Sequence, residues 1–320
     1  MSASRATAVG LALGSIADLL LADPRRGHPV AGFGRAAGAL ERRIWRDDRA
    51  TGAAYTAVCV GTATALGAAL ARVTAGSPSA RTAVTALATW AVLGGTSLDR
   101  AAATMAQHLE AGDLAAARGH LPTLAGRDPS ALGEPELVRA TVESVAENTS
   151  DAAVAPLFWG AVAGLPGLLG YRAANTLDAM VGYRSARYAR FGWASARLDD
   201  VLNWVPARLT AALTVAAAPA AGGSAAGAWR AWRRDGAAHP SPNAGRCEAA
   251  LAGALDLRLG GRNVYGSRVE ERPPLGDGQP PTRADIRRAA RLSRAVWTTA
   301  AILAAASRAL PGRVRRGPRG

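Results

Sequence analysis

Apolar residues in this chain come in blocks that contain no charged side chain. Residues 53–71 and 82–98 are two such blocks, of 19 and 17 residues, separated by a Gly-Ser-Pro turn at 76–78. In neither block does a polar face recur with a period of 3.6 residues, as it would in a helix with one side in water. The pattern predicts a hairpin of two membrane-embedded helices. A soluble all-α protein with buried Ala-rich helices is the alternative.

Further blocks extend this pattern along the chain. We predict membrane-spanning helices at residues 7–22, 53–71, 82–98, 152–170, 209–229 and 295–306. The first is interrupted by Asp18, and the last is short for about 30 Å of hydrocarbon. The block at 152–170 contains Pro156, Pro166 and several glycines, so we expect it to be kinked or re-entrant.

The segments between the blocks are polar. Residues 99–119 have the pattern of an amphipathic helix, and another helix is predicted to begin near Glu134, with Pro135 in its first turn. Residues 230–294 form the most polar stretch and are rich in Pro and Gly, which predicts a cytosolic loop with little regular structure. The predicted fold is a single all-α domain over residues 1–320, a polytopic membrane helical bundle with amphipathic cytosolic helices and a polar loop.

The net charge of +14 comes from 38 basic residues, all of them arginine, against 24 acidic ones. The arginines lie between apolar blocks, where they would meet lipid headgroups, phosphates or carboxylates, so nucleic acid is not expected as a partner. The turn at 74–79 lacks arginine and is predicted to lie outside, with residues 23–50 and 99–151 on the cytosolic side. Cys59 and Cys247 lack a CxxC partner, so neither a disulfide framework nor a zinc motif is expected.

The densest group of candidate catalytic side chains lies within residues 141–151. Glu143, Glu147 and Asp151 are spaced i, i+4 and i+8, so on a helix they share one face, with Asn148 beside them. Like charges on one face repel unless a cation or arginines compensate, and hard oxygen ligands suit Mg²⁺. A solvated acidic face is the alternative. The position at the edge of an apolar block favours a functional site.

A second polar group follows residues 152–170. Asn175 and Asp178 share a helical face, and a kink in the preceding block would place them opposite Glu147 and Asp151. Arginines that alternate with aromatic residues come next, and they are typical of a phosphate-binding segment or of an interfacial membrane belt: Arg184, Arg187 and Arg190.

Two histidines precede prolines, at His28 and His239, and proline keeps the preceding residue out of a helix. His239 opens a polar turn that also contains Ser241 and Asn243. A purely structural role is the alternative for each histidine. The chain has no Walker A motif, no GxSxG and no HExxH, so a nucleotide would not be bound by a P-loop.

Five stretches of the sequence, taken together, resemble the CobD/CbiB family of adenosylcobinamide-phosphate synthases. They are residues 18–30 (DLLLADPRRGHPV), 126–151 (GRDPSALGEPELVRATVESVAENTSD), 155–160 (APLFWG), 171–210 (YRAANTLDAMVGYRSARYARFGWASARLDDVLNWVPARLT) and 239–261 (HPSPNAGRCEAALAGALDLRLGG). Their order and spacing agree over nearly the whole chain. The sequence departs from the family pattern at Ala186, where an acidic residue is expected, and at Arg246-Cys247, where Trp-Pro is expected.

The resemblance implies an enzyme of cobalamin biosynthesis. It would join a carboxylate of adenosylcobyric acid to the amine of (R)-1-amino-2-propanol or its O-phosphate, with ATP as co-substrate and Mg²⁺, through an acyl phosphate. The resemblance also implies a multi-pass protein of the cytoplasmic membrane with a cytosolic active face. Other late membrane enzymes of the pathway are candidate partners.

Residue roles on the matching positions are a hypothesis. The metal ligands are Glu143, Glu147, Asp151 and Asp178. The substrate- and phosphate-binding residues are Asn148, Asn175, Arg184, Arg187, Arg197, Ser241 and Asn243. The catalytic candidates are His28 and His239, as alternative bases, together with Glu147 and Asp199.

Two other functions fit parts of the pattern. A Mg²⁺-dependent membrane transferase of another class would need paired Asp-rich motifs on two helices, and only NTLDAM and AENTSD come near. A membrane transporter would show inverted repeats and charges inside its spans. The sequence has no visible repeat, and Asp18 is the one charge within a predicted span.

Overall fold

The computed structural model describes residues 1–24, 27–265 and 268–310, and over these residues the chain is mostly helical. Arg25 and Arg26, in the first family-like stretch, lie outside the described residues. Helices α1 to α13 are, in order, Ala3–Leu21, Pro29–Ile44, Arg49–Val73, Pro78–Val92, Gly95–Glu110, Leu114–His120, Glu134–Thr149, Ala155–Val181, Trp193–Leu202, Trp204–Ala217, Ala225–Asp235, Ala244–Leu255 and Arg283–Ala309. Strands β1 (Leu259–Tyr265) and β2 (Arg268–Leu275) pair antiparallel.

Side-chain caps explain where several helices begin. Asp48 accepts two backbone N–H bonds at the start of α3, and Ser77 caps α4 in front of Pro78. At α13, Thr282 and Asp285 form a reciprocal capping box. These oxygens satisfy N–H groups that the first turn of a helix leaves without partners.

The predicted packing of residues 53–71 against 82–98 was wrong. A turn joins α3 to α4, but α3 packs mainly on α8, and α4 packs mainly on α1. On α1, Gly10 and Gly14 face Thr85 and Thr89 of α4 so closely that no side chain would fit between them. Small residues at both contacts allow this near approach, which the uniform apolar pattern could not distinguish from a hairpin contact.

The main hydrophobic core surrounds α13. This helix packs against α1, α5, α7 and α10, and Trp297 on it is fully buried together with Met105, Leu109 and Leu137. Asp18, the charge in the first apolar block, is also buried, and its carboxylate accepts a hydrogen bond from the Thr96 N–H at 3.0 Å. The core therefore holds α7, which carries predicted site residues, in a fixed position.

The segment with most of the predicted site residues is a long helix broken at two points. A π-helical turn, Ser150–Val154, separates α7 from α8. Inside α8, Gly164 adopts φ 66° and ψ −144°, and Pro166 follows. The chain reverses direction at Gly164. The reversal brings Nδ2 of Asn175 to 3.4 Å from Oδ2 of Asp151. In a straight helix these residues would stand about 36 Å apart.

The prediction of an irregular loop over residues 230–294 was wrong. This stretch contains α12, the β1–β2 hairpin and the first part of α13. Leu259 and Leu275 of the hairpin are buried against the body of the protein. An antiparallel ribbon with one face in water has a polar composition, so here polarity indicated an exposed face and not a lack of structure.

Three helical segments of the described residues are long and apolar enough to cross a membrane: Ala3–Leu21, Arg49–Val73 and the broken helix Glu134–Val181. They contain the predicted spans at 53–71 and 152–170, and the predicted span at 7–22 except for its last residue. The prediction at 82–98 is divided between α4 and α5, and the one at 209–229 between α10 and α11. The prediction at 295–306 falls within α13, which does not meet the same criterion.

Gly164→Ala should destabilise the chain reversal, because a side chain is disfavoured at φ 66° and ψ −144°. Strain of this kind costs about 1–3 kcal/mol. The added methyl group itself has room, since its nearest neighbour would be Arg308 Nη2 at 3.9 Å. Thermal unfolding of the purified protein should therefore show a lower midpoint for Gly164→Ala. Gly61→Ala, in the open middle of α3, is the matched control and should not lower it; equal midpoints for the two variants would contradict the backbone argument.

Candidate active site

A cavity of about 850 Å³ opens where α7, α8 and α9 meet the turn before α12. Its volume is in the range of small-molecule binding sites. Most of the site residues predicted from the sequence line it: Glu143, Glu147, Asn148, Asp151, Asn175, Asp178, Arg184, Asp199, His239, Ser241 and Asn243. The structure thus brings together residues that are up to 100 positions apart in the chain.

One wall of the cavity is acidic and is built by three helical segments. The π-turn presents Asp151, the returning half of α8 presents Asn175 and Asp178, and α9 presents Asp199. Nδ2 of Asn175 lies 3.4 Å from an oxygen of Asp151 and 3.3 Å from an oxygen of Asp199. The amide therefore bridges two carboxylates that a straight α8 would keep apart.

Asp199 is the best-anchored carboxylate of this wall. Asn203 donates to its Oδ2 at 3.0 Å, and the Tyr171 hydroxyl donates to Asn203 at 2.8 Å. Burial raises the pKa of Asp199 to about 6; the hydrogen bonds from Asn203 and Asn175 oppose this rise, and the charges of Asp200 and Glu147 add to it. Asp199 therefore changes charge close to neutral pH.

The donor set of this wall fits a cation that arrives with phosphate groups better than a resident metal ion. The described residues contain no group of three or more His, Cys, Asp or Glu side chains placed to hold a metal. Mg²⁺ in nucleotide sites is held by one or two carboxylates, with phosphate oxygens and waters completing the shell. Glu147, Asp151 and Asp178, which line the cavity, can supply such a partial shell.

Glu143 faces the same cavity but is engaged by cationic and backbone donors. Its carboxylate forms a buried ion pair with Arg127, lies 3.8 Å from Nη1 of Arg139, and accepts the Gly260 N–H at 2.8 Å. A carboxylate with these partners has little capacity left for a metal ion. Glu143 therefore suits a structural role, in which it fixes Arg127 at the cavity wall, better than the role of a metal ligand that the sequence predicted.

His239 is buried, and its surroundings keep it neutral. The Ser241 N–H donates to Nδ1 at 3.0 Å, so the neutral ring carries its proton on Nε2. Burial first, and then the nearby Arg272, lower the pKa of His239 to about 4. Since Nδ1 is occupied and Nε2 is protonated, this geometry suits a hydrogen-bond donor and not a base.

Behind His239 lies a carboxylate that the sequence reading missed. Glu248 on α12 is fully buried, with Oε1 3.8 Å from Nε2 of His239 and 3.9 Å from Nη1 of Arg272. Burial raises the pKa of Glu248 well above its ordinary value, and Glu143 and Glu147 act in the same direction. His239 and Arg272 of the cavity lining therefore share one buried cluster with the carboxyl group of Glu248 behind them.

The polar turn from His239 to Asn243 is held by its own side chains. Ser241 Oγ accepts the N–H groups of Asn243 and Ala244 at the start of α12. Asn243 donates to the Asp200 carbonyl oxygen at 2.8 Å, which joins this turn to α9. Both side chains line the cavity, and much of their hydrogen-bonding capacity is used to shape it.

Three predicted site residues do not line the cavity: His28, Arg187 and Arg197. His28 caps α2 through Nδ1 and lies 3.8 Å from Asp23. Arg187 pairs with Glu41 at 2.9 Å, which follows from its position on an exposed turn facing α2. Arg197 is largely exposed, 3.8 Å from Asp200. Of the three, Arg187 has a partner from a distant part of the chain, whereas the partners of His28 and Arg197 lie within five residues of them.

Four residues of the site were missed: Arg127, Asn203, Glu248 and Arg272. Glu248 is the single acidic residue of the Ala-rich helix α12, and that isolation was a usable signal. Arg272 lies in the stretch read as irregular, so nothing in the local pattern indicated that β2 would carry it to the cavity.

Comparisons with known proteins show which family the chain belongs to. The family model described as CobD/Cbib protein matches residues 11–293. A cobalamin biosynthesis protein CobD of Mycobacterium tuberculosis H37Rv is 58% identical over 93% of this chain and 94% of its own length. Proteins of the same name from Geobacter metallireducens and Chromobacterium violaceum are 46% and 43% identical, over 83% and 94% of this chain and 86% and 97% of theirs. No solved structure matches the chain. The match over most of the sequence places this chain in the CobD/CbiB family of cobalamin biosynthesis proteins.

Proposed function

We propose that this protein joins a carboxylate of adenosylcobyric acid to the amine of (R)-1-amino-2-propanol, or of its O-phosphate, using ATP. The observation that carries the proposal is the cavity in which Asp151 and Asp199 face a neutral histidine and arginines. Such a site can hold phosphate groups beside a cation and accept a proton from an amine. The role in cobalamin biosynthesis rests on the family match.

The chemistry requires two balanced steps. An oxygen of the corrinoid carboxylate attacks the γ-phosphorus of ATP, which releases ADP and leaves an acyl phosphate. The amine nitrogen then attacks the acyl carbon, an amide forms, and inorganic phosphate and one proton leave. Arg127, Arg184 and Arg272 line the cavity and are assigned to the phosphate groups and the developing negative charge.

Mg²⁺ bound with ATP would supply charge neutralisation of the phosphates. We assign Asp151, together with one of its neighbours Glu147 and Asp178, to hold it, with Asn148 and Asn175 orienting substrate beside them. Asn148 is itself fixed, because its amide donates to the Ser144 carbonyl oxygen at 2.9 Å.

Asp199 is assigned as the base that takes the proton of the amine. Its pKa of about 6 leaves it largely ionised at neutral pH yet basic enough to accept a proton. Asn203 and Asn175 fix both of its oxygens. His239 is assigned as an Nε2–H donor to the acyl oxygen, which is the role its tautomer supports.

We also propose that the protein is a multi-pass protein of the cytoplasmic membrane, with the cavity on the cytosolic side where ATP is available. α1 and α3 have the length and composition of full spans. The helical segment from Asp151 to Gly164 is only about 20 Å long, which is less than the roughly 30 Å thickness of the hydrocarbon core of a bilayer. A re-entrant hairpin, with its tip at Gly164 and both ends at the cavity, accounts for that length.

Purified protein in detergent, supplied with adenosylcobyric acid, ATP, Mg²⁺ and either amine, should give a corrinoid product heavier by the aminopropanol unit or its phosphate. Mass spectrometry detects the product, and omission of ATP should abolish it.

Asp151→Asn should lower the rate at least about tenfold and raise the Mg²⁺ concentration needed for half-maximal rate, because it removes a negative charge from the acidic wall of the cavity. Asp47→Asn, the same substitution at an exposed position, is the control. No product from folded protein with either amine would refute the proposal.

Asp199 also makes stability depend on pH. A carboxyl group with a raised pKa in the folded state favours folding below its ordinary value of 3.8, and this contribution is lost as pH rises through about 6. In chelator, Asp199→Asn should therefore raise the melting temperature relative to wild type by a few degrees more at pH 7.5 than at pH 5. The lowered pKa of His239 acts in the opposite sense in both proteins and cancels in this difference. A difference that is independent of pH would show that the pKa of Asp199 is not raised in the folded protein.

A further inference from the structure

A second cavity, of about 550 Å³, lies among α10, α11 and α12 and shares no lining residue with the first. Its walls are formed by three arginines and one tryptophan: Arg208, Arg233, Arg246 and Trp232. Three positive charges around one cavity repel each other. An anionic ligand bound in the cavity would offset this repulsion.

None of these arginines has a carboxylate within 4.0 Å among the described residues. Their neighbour on α11, Arg234, shows the usual arrangement on this surface, with Asp235 at 2.7 Å and Asp277 at 2.9 Å. The Nε of Arg246 is buried and makes no hydrogen bond. Burial, and then the charge of Arg246, lower the pKa of Arg208. The cavity therefore holds uncompensated positive charge.

The guanidinium groups are held in place by aromatic faces and close packing. Arg208 lies over the Trp204 ring, 4.1 Å from its centroid, and Arg233 lies 5.5 Å from the centroid of Trp229. Arg246 packs against Gly236, where a methyl group would come within 3.1 Å of its Cδ. Stacking occupies the faces of two guanidinium groups and leaves donor edges available to a ligand.

Donor geometry selects the ligand. A guanidinium group offers parallel N–H donors that match the oxygens of phosphate, and several arginines around one space suit a phosphate group better than a single carboxylate. Trp204 and Trp229, half exposed beside the cavity, are the residue type found where a protein meets lipid headgroups. A soluble phosphate ester and a phospholipid headgroup share this chemistry.

We propose that the cavity formed by Arg208, Trp232, Arg233 and Arg246 is a phosphate-binding site, separate from the carboxylate cavity. The two are linked through Asn243, whose Oδ1 accepts a hydrogen bond from Arg208 at 3.5 Å while the same side chain lines the first cavity. An occupant that binds Arg208 would thus be connected, through this one side chain, to the turn that carries His239. The proposal does not depend on the amide-forming reaction.

Binding to purified protein in a non-ionic detergent tests the site. The probes are inorganic phosphate, short-chain phosphatidylglycerol and phosphatidylcholine of the same chain length, with affinity measured by calorimetry. Arg246→Gln and Arg233→Gln should each weaken binding at least tenfold. Arg230→Gln removes the same charge from an exposed position on α11 outside the cavity, and it should bind like wild type.

The probes separate the two sources of phosphate. Arg246-dependent binding of phosphatidylglycerol at least tenfold tighter than phosphatidylcholine would identify a lipid headgroup site. Arg246-dependent binding of inorganic phosphate without that lipid preference would identify a soluble phosphate ester. No binding of any of the three probes, or equal weakening by Arg230→Gln and Arg246→Gln, would overturn the proposal. Arg233 is exposed, so its variant keeps the test valid if the Arg246 variant does not fold.

Discussion

The reversal of the chain at Gly164 is the constraint on which the candidate site depends. Only because α8 returns towards α7 do Asn175 and Asp178 come back to the level of Glu147 and Asp151. The reversal also sets where α9 begins, and so where Asp199 enters the wall. A continuous helix with the same residues would distribute these acids over a length greater than a bilayer core.

Charge balance is the second requirement of this arrangement. Carboxylates brought together by the reversal need positive partners, and these come from distant parts of the chain: Arg127 from the loop before α7 and Arg272 from β2. The buried pair of Glu143 and Arg127 connects that loop to the helix. Loss of one member of such a pair costs about 3–5 kcal/mol, because it leaves the other charge buried alone.

Local spacing along the sequence predicted the acidic wall well. The i, i+4, i+8 pattern placed Glu147 and Asp151 on one face, and the prolines and glycines of residues 152–170 indicated the break that brings Asn175 opposite them. The carboxylate spacing and the prolines and glycines lie within one continuous stretch of sequence, so no knowledge of tertiary contacts is needed to recognise them. The catalytic and metal-binding roles remain predictions.

The sequence did not predict the contacts of side chains whose partners lie on distant elements of the fold. Arg187 lies in a motif typical of phosphate binding, but its side chain is next to α2 and forms an ion pair with Glu41. Arg272 reaches the cavity because a hairpin forms in a stretch whose polarity indicated a loop. The packing of α4 on α1 rather than α3 depends on matched small residues on two helices, and uniform apolar composition does not reveal such a match.

The π-helical turn at Ser150–Val154 limits which insertions and deletions this segment of the sequence can accept in evolution. A turn of this type holds one residue more than an α-helical turn, and each residue of a helix rotates the following side chains by about 100°. The turn therefore sets the rotational phase of α8 relative to α7, and its Ala152 carbonyl is used outside the helix by the Gly94 N–H at 2.9 Å. Deleting Ala153 would leave every side chain that lines the cavity intact and yet turn Asn175 and Asp178 away from their partners. Natural variation in this segment should consist of replacements, with length held constant.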